Sequence, residues 1–389
     1  MRKLILFLIV VELVTVQRAR AQSNTTFVPS LSFGTIYDDN LFAKIKGDAG
    51  TMAILRPALE ANYEGPRLTV TSLLSFDVQH SNFAELSTLD ARRHADLDLK
   101  HRATEALTLD FGVRYDRSET PGELNLDTGV LGQRVIAERL ELVPSLAYRA
   151  TPRTTFNASY NGVTETIIDQ ISGGLNIFRA GVTHQASPLD EISVSYLGRR
   201  FVDALDTHES NAVLVGWTRE LAFQTRLTLQ AGPRVSPDKG LDAEIVAGFV
   251  RNTNRLRIGL DYWHGETIIL GILGPVAVDT GTAKLVWPTT PRTEIGFTTG
   301  VTDSTIFGNQ NVRVYRAIFL GAWTPGGGPY TFSASYGAES QRGLFLGSQY
   351  LNDQVMRQTF SLNVTIAPRL SKSFRPTGEP GVHTQGASQ

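Results

Sequence analysis

The chain contains no cysteine. That excludes a disulfide scaffold, a thiolate metal site and a cysteine nucleophile. Charge of one sign is also missing: 37 Lys and Arg stand against 38 Asp and Glu. A nucleic-acid partner needs a basic face, and this balance does not supply one. Beyond residue 21 no apolar run approaches the ~18 residues of a spanning helix. There is no G-x-S-x-G elbow, no G-x-x-x-x-G-K-[ST] phosphate loop and no helical two-histidine metal motif. The seven histidines are scattered, and His94 and His101 fall on opposite faces of one expected strand. No catalytic residue, metal ligand or cofactor is therefore assigned.

What is present begins at the N-terminus. Met1-Arg2-Lys3 is basic, Leu4 to Val16 is apolar apart from Glu12, and Ala19-Arg20-Ala21 offers small residues before Gln22. This reads as a secretory signal peptide over residues 1–21. Its removal takes the formal net charge from −1 to about −4. Residues 369–389, with Pro376, Gly378, Pro380 and Gly381 among polar neighbours, read as a disordered tail. Residues 22–368 then form one unit, because the β pattern runs from Phe27 to Pro368 without a break in composition.

That pattern has period two. Leu68, Val70, Ser72, Leu74, Phe76 and Val78 share one face, with Leu73 the apolar exception on the other. Leu107, Leu109, Phe111, Val113 and Tyr115 alternate with Thr108, Asp110, Gly112, Arg114 and Asp116. Phe360, Leu362, Val364 and Ile366 alternate with Thr359, Ser361, Asn363 and Thr365. Such segments run about 10–12 residues, longer than the usual ~5–6 of a globular strand. They match the ~9–11 residues that a tilted strand needs to cross a bilayer. A soluble sandwich also alternates, but with shorter strands and more frequent turns.

The connections differ in kind. Tight turns fall at Glu64–Arg67, Thr104–Ala106, Thr151–Thr154, Ser187–Asp190, Ala222–Thr225, Asn252–Asn254, Thr289–Arg292 and Pro325–Pro329. Between them lie longer connections at Asp38–Gly50, His80–Asp90, Glu119–Gln133, Thr164–Ile171, Asp203–Glu209, Ile269–Pro275, Ser304–Asn311 and Gln341–Gln354. Short turns on one rim and long loops on the other are the pattern of outer-membrane barrels. The expected fold is all-β: a single closed antiparallel transmembrane β-barrel of about 18 strands. The Ser236–Gly240 connection is short for an outer loop, and without it the strand number falls to sixteen.

Closure follows from the solvent, since an unpaired sheet edge in hydrocarbon costs several kcal/mol per bare N–H or C=O. Apolar faces then meet lipid and polar faces the lumen. Asp96, Asp98, Lys100, Asp110, Arg114, Asp116, Arg139, Glu141, Arg257, Asp261 and Glu294 become the expected pore-lining charges. Their mixed signs fit solvation and cross-strand pairing, or selective solute binding. Tyr63, Tyr115, Tyr148, Tyr160, Tyr196, Trp217, Trp263, Trp287 and Trp323 recur near strand ends, as interfacial girdles or as sheet packing. Asp38-Asp39-Asn40 is the densest oxygen-bearing cluster, readable as a Ca²⁺ site or as a turn bonded to nearby backbone.

Pro29–Gly34, Tyr37-Asp38-Asp39-Asn40-Leu41-Phe42 and Leu55-Arg56-Pro57-Ala58-Leu59 together resemble the start of the outer-membrane β-barrel porins found with exopolysaccharide export systems. The Thr-Pro-Arg-Thr turns at 151–154 and 290–293 resemble that family's periplasmic turns. The motif covers residues 29–60. The resemblance implies a channel in the outer membrane of a Gram-negative bacterium, with polysaccharide or small solutes as cargo. Its partners would be outer-membrane lipid and the barrel assembly machinery. The family's aromatic C-terminus is absent here. Other readings are a non-conducting structural barrel, an outer-membrane enzyme acting on lipid or glycan, and a soluble secreted β protein.

Overall fold

The computed structural model describes residues 24–368, apart from segments 120–123, 126–127, 132–133, 168–171, 204–205, 237–239, 307–309 and 344–353 and positions 223, 254 and 273. The expected leader and tail lie outside the described residues. Eighteen strands follow one another: β1 (Asn24–Asp38), β2 (Gly50–Glu64), β3 (Leu68–Ser81), β4 (Thr88–Arg102), β5 (Leu107–Ser118) and β6 (Ala137–Thr151). Then come β7 (Thr154–Ile167), β8 (Ser172–Gln185), β9 (Asp190–Val202), β10 (Thr207–Ala222), β11 (Thr225–Ser236) and β12 (Gly240–Asn252). The last six are β13 (Arg257–Thr267), β14 (Val276–Thr290), β15 (Thr293–Ile306), β16 (Gln310–Trp323), β17 (Tyr330–Gly343) and β18 (Gln354–Ile366).

Each strand pairs antiparallel with its neighbours in sequence, and β1 pairs with β18. The sheet is thus a closed 18-stranded barrel, and the short Ser236–Gly240 connection does join two of its strands. Strands run from 11 residues in β13 to 16 in β10, longer than the alternation suggested. Pairing runs to both ends of a hairpin, from Thr154–His184 to Thr166–Ser172 in β7–β8.

Alternation sorts the two faces. Phe33, Leu55, Phe76, Phe178, Val215, Leu229, Phe319 and Leu362 belong to an outer surface in which large apolar side chains are 39–59 % exposed. Tyr148, Trp217, Trp287, Trp323 and Tyr330 lie outward near the tight turns. Tyr160, Tyr196, Tyr262 and Tyr336 lie outward nearer the long loops, and each hydroxyl donates to a polar side chain on the next strand: Asn176, Asn211, Asp279 and Gln358. Trp263 departs from the expected girdle. It sits on the inner face, where its indole N–H donates to Glu244 at 3.0 Å.

The inner face is not uniformly polar. Val163, Leu175, Ile177, Leu197, Phe201, Ala212 and Leu214 form a buried cluster on β7–β10, against which Ile268 packs. Parity places this group inward, and its apolar side chains are stable there because a loop covers them.

Candidate functional site

The interior of the barrel is the candidate site, and ion pairs line much of its wall. Asp96, Asp98 and Lys100 are on β4, Asp110, Arg114 and Asp116 on β5, and Arg139 and Glu141 on β6. Register brings these together on the inner face: Arg114 lies opposite both Asp96 and Glu141, at 3.4 and 3.8 Å. Arg139 pairs with Glu165 at 2.5 Å, His94 with Asp116 at 2.7 Å, and Lys100 with Asp110 at 3.9 Å. Arg257, Asp261 and Glu294 stand apart on β13 and β15, where Arg257 meets Glu294 at 2.5 Å. The structure therefore separates the eleven residues into two groups on different parts of the wall.

Two further groups lie outside the expected pore-lining set. Arg199 on β9 forks onto Glu244 on β12 at 2.6 and 3.0 Å, and Arg234 on β11 reaches the same carboxylate at 3.0 Å. All three side chains are within 2 % of full burial. Arg199 reaches past β10 because small residues intervene, with Ser210 opposite Arg199 and Ala212 opposite Arg234. Arg316, Glu339, Arg357 and Asp38 form the other group from β16 to β1, with Arg316–Glu339 and Arg357–Asp38 both at 2.8 Å. The signal for Arg234 was present: Leu227, Leu229 and Val235 fix the outward parity, so Arg234 must face in.

At the long-loop end, two connections turn inward. The β5–β6 connection packs Leu124 with Ala137, Ile167 and Leu270, and Val130 with Ile269, Val276, Val312 and Val314. Its Leu131 packs on Val355 and Ala43. The β13–β14 connection supplies Ile268, Ile269 and Leu270. Polar contacts fix these loops. Asn125 donates to the Val130 carbonyl at 2.8 Å and accepts from the Leu270 N–H at 2.8 Å. Gln341 on β17 accepts from the Leu131 N–H at 2.6 Å. One loop thus touches wall segments on opposite sides of the ring, which narrows that end of the lumen.

Two titratable groups of the β5–β6 connection are shifted. Burial pushes the Glu119 carboxyl up, against the pull of Arg134 and Arg117. Burial also draws the Arg134 guanidinium down, helped by Arg357 and opposed by Glu119 and Asp38.

Asp38-Asp39-Asn40 has the bonding of a turn. Asn40 donates to the carbonyls of Lys44 and Met356 at 2.7 and 2.8 Å and accepts from the Lys44 N–H at 2.8 Å. Among the described residues no His, Asp and Glu group has the arrangement of a metal site.

No protein-family model matches the chain, and no curated protein is similar to it. Solved structures are similar in shape. Acinetobacter baumannii OccAB2 is 12 % identical, with 89 % of this chain and 98 % of that one covered at a TM-score of 0.49. Pseudomonas aeruginosa OpdO is 10 % identical over 89 % and 98 %, at 0.48. Pseudomonas aeruginosa OpdK, solved with vanillate, is 11 % identical over 88 % and 98 %, at 0.45.

Proposed function

We propose that the chain is an outer-membrane barrel that passes small solutes through a lumen narrowed at its long-loop end. The observation that carries this reading is the pairing of two surfaces. A closed wall shows lipid-type side chains outward on every side, while its interior holds charged pairs and hydroxyls. An exposed apolar area of this extent in water marks an interaction surface, and here it encircles the molecule. Only a bilayer covers such a surface all round, and a barrel satisfies the backbone within one.

Purified, heat-modifiable protein reconstituted into planar bilayers is expected to give discrete conductance steps. Folded protein that inserts and never conducts would overturn the channel reading. The second reading, a non-conducting structural barrel, is favoured by one observation: the inward loops bury apolar side chains against several parts of the wall at once. The same recordings separate the two.

A further inference from the structure

Seventeen of the eighteen neighbouring strand pairs are joined by a chain connection, which holds their register. The pair β1–β18 is joined by none. Its ladder is short, eight rungs from Leu31–Ile366 to Asp38–Thr359. A one-residue slip here turns every side chain to the wrong face and is forbidden by the apolar pattern. A two-residue slip keeps both faces, so that pattern is blind to it. Something else must set the seam.

We propose that Asp38-Asp39-Asn40 at one end and Pro29 with Pro368 at the other form a register lock that closes the barrel. Each residue of the triplet binds β18. Asp38 accepts from Nε and Nη2 of Arg357 at 2.9 and 2.8 Å. Asp39 donates its N–H to the Gln358 carbonyl at 3.1 Å, and its side chain accepts from the Gln358 N–H at 2.6 Å. Asn40 donates to the Met356 carbonyl. Asp38 is fully buried and Asn40 is 3 % exposed. A two-residue shift in either direction breaks the Asp39 and Asn40 bonds, and the shift that sets Asp38 opposite Ser361 also takes Arg357 away and leaves that buried carboxylate without its cation.

The other end is a stop. The Asp39–Gln358 bond shows that odd-numbered β1 residues turn their main chain toward β18. Continued two rungs past Leu31–Ile366, the register sets Pro29 opposite Pro368. Neither has an N–H to donate, so that rung cannot form. Ala367 instead donates to the Pro329 carbonyl, on the β17 side. β1 continues alone for seven residues, Asn24 to Ser30, paired only with β2 among the described residues. Proline on an edge is a known guard against unwanted pairing.

The absence of cysteine makes the test direct. Ser32 and Thr365 are partners on the inner face, their hydroxyls 2.8 Å apart. The double variant Ser32→Cys/Thr365→Cys reports the native register, and Ile36→Cys/Asn363→Cys the two-residue slip that sets Asp38 opposite Ser361. Each is oxidised in the membrane-assembled full chain, and cross-linking is scored in the heat-modifiable folded band. With the lock intact, the native pair dominates. In an Asp38→Ala/Asp39→Ala/Asn40→Ala background, or with Pro29→Thr/Pro368→Thr, the slipped pair is expected to appear at the expense of the native one. If the triple variant yields no folded band, Asn40→Ala alone decides, since it leaves Asp38–Arg357 in place. A native-only pattern in every folded variant overturns the lock.

Discussion

The side-chain carbonyl of Gln341 accepts the Leu131 N–H at 2.6 Å, joining the β5–β6 connection to β17, with both side chains within 2 % of full burial. That bond, together with Gln341 Nε2 donating to the Leu131 carbonyl at 3.4 Å, links a loop to a strand six places from its own hairpin on the ring. In the Gln341→Ala variant the buried N–H loses its partner, at a cost of about 1–3 kcal/mol. The loop is then expected to leave the lumen more often. Single-channel recordings should show a larger or more frequent open level than wild type. Identical traces would mean that the loop does not set the aperture.

Glu244 neutralises two buried guanidiniums, those of Arg199 and Arg234. Removing one partner of a buried charge pair costs about 3–5 kcal/mol, because the other charge remains. Glu244→Gln should therefore lower the temperature at which the folded band converts to the unfolded one on gels. Conversion at the wild-type temperature would argue against a bracing role.

The face assignment makes opposite predictions for adjacent residues of β11. Leu229 is outward and 42 % exposed, whereas Gln230 faces the lumen. An arginine on the lipid face costs about 2–4 kcal/mol at midplane, falling to about 0–1 kcal/mol at the interfaces. Leu229→Arg should reduce stability or yield in urea unfolding from liposomes, and Gln230→Arg should not. Equal losses at both positions would count against a lipid-facing outer surface.

Glu119 carries a pH dependence with a definite sign. Its folded carboxyl is raised above the ordinary value, so protonation favours the packed loop. This stabilisation is fully present below the unfolded carboxyl pKa of about 4.3. It is lost as pH rises through the folded value. Protease cleavage within the β5–β6 connection is expected to be faster at neutral pH than at pH about 4, with Glu119→Gln flattening the difference. A profile unchanged by that substitution would sever the link to Glu119.

Sequence alone carried the wall. Alternation such as Leu107 to Asp116 and the contrast between tight turns and long connections specified a closed antiparallel barrel of about 18 strands with sequence neighbours paired. These are local signals: side chains alternate with period two, and a hairpin fixes its own neighbour. The same rule located Arg234 on the inner face but could not tell that it meets Glu244 or that Arg199 arrives from β9. Parity puts Leu197 and Phe201 on the inner face but does not show that a loop covers them, and it did not place Trp263 beside Glu244.

What only the tertiary structure decided are contacts between residues far apart in the chain. Closure of the ring brings Asp38 to Arg357 and Gln341 to Leu131, and no local periodicity encodes which distant partner a buried polar group will find. Period two reports which side of the wall a residue faces. The folding of the β5–β6 and β13–β14 connections into the lumen, where apolar burial and two amide side chains hold them, determines how much of the lumen stays open.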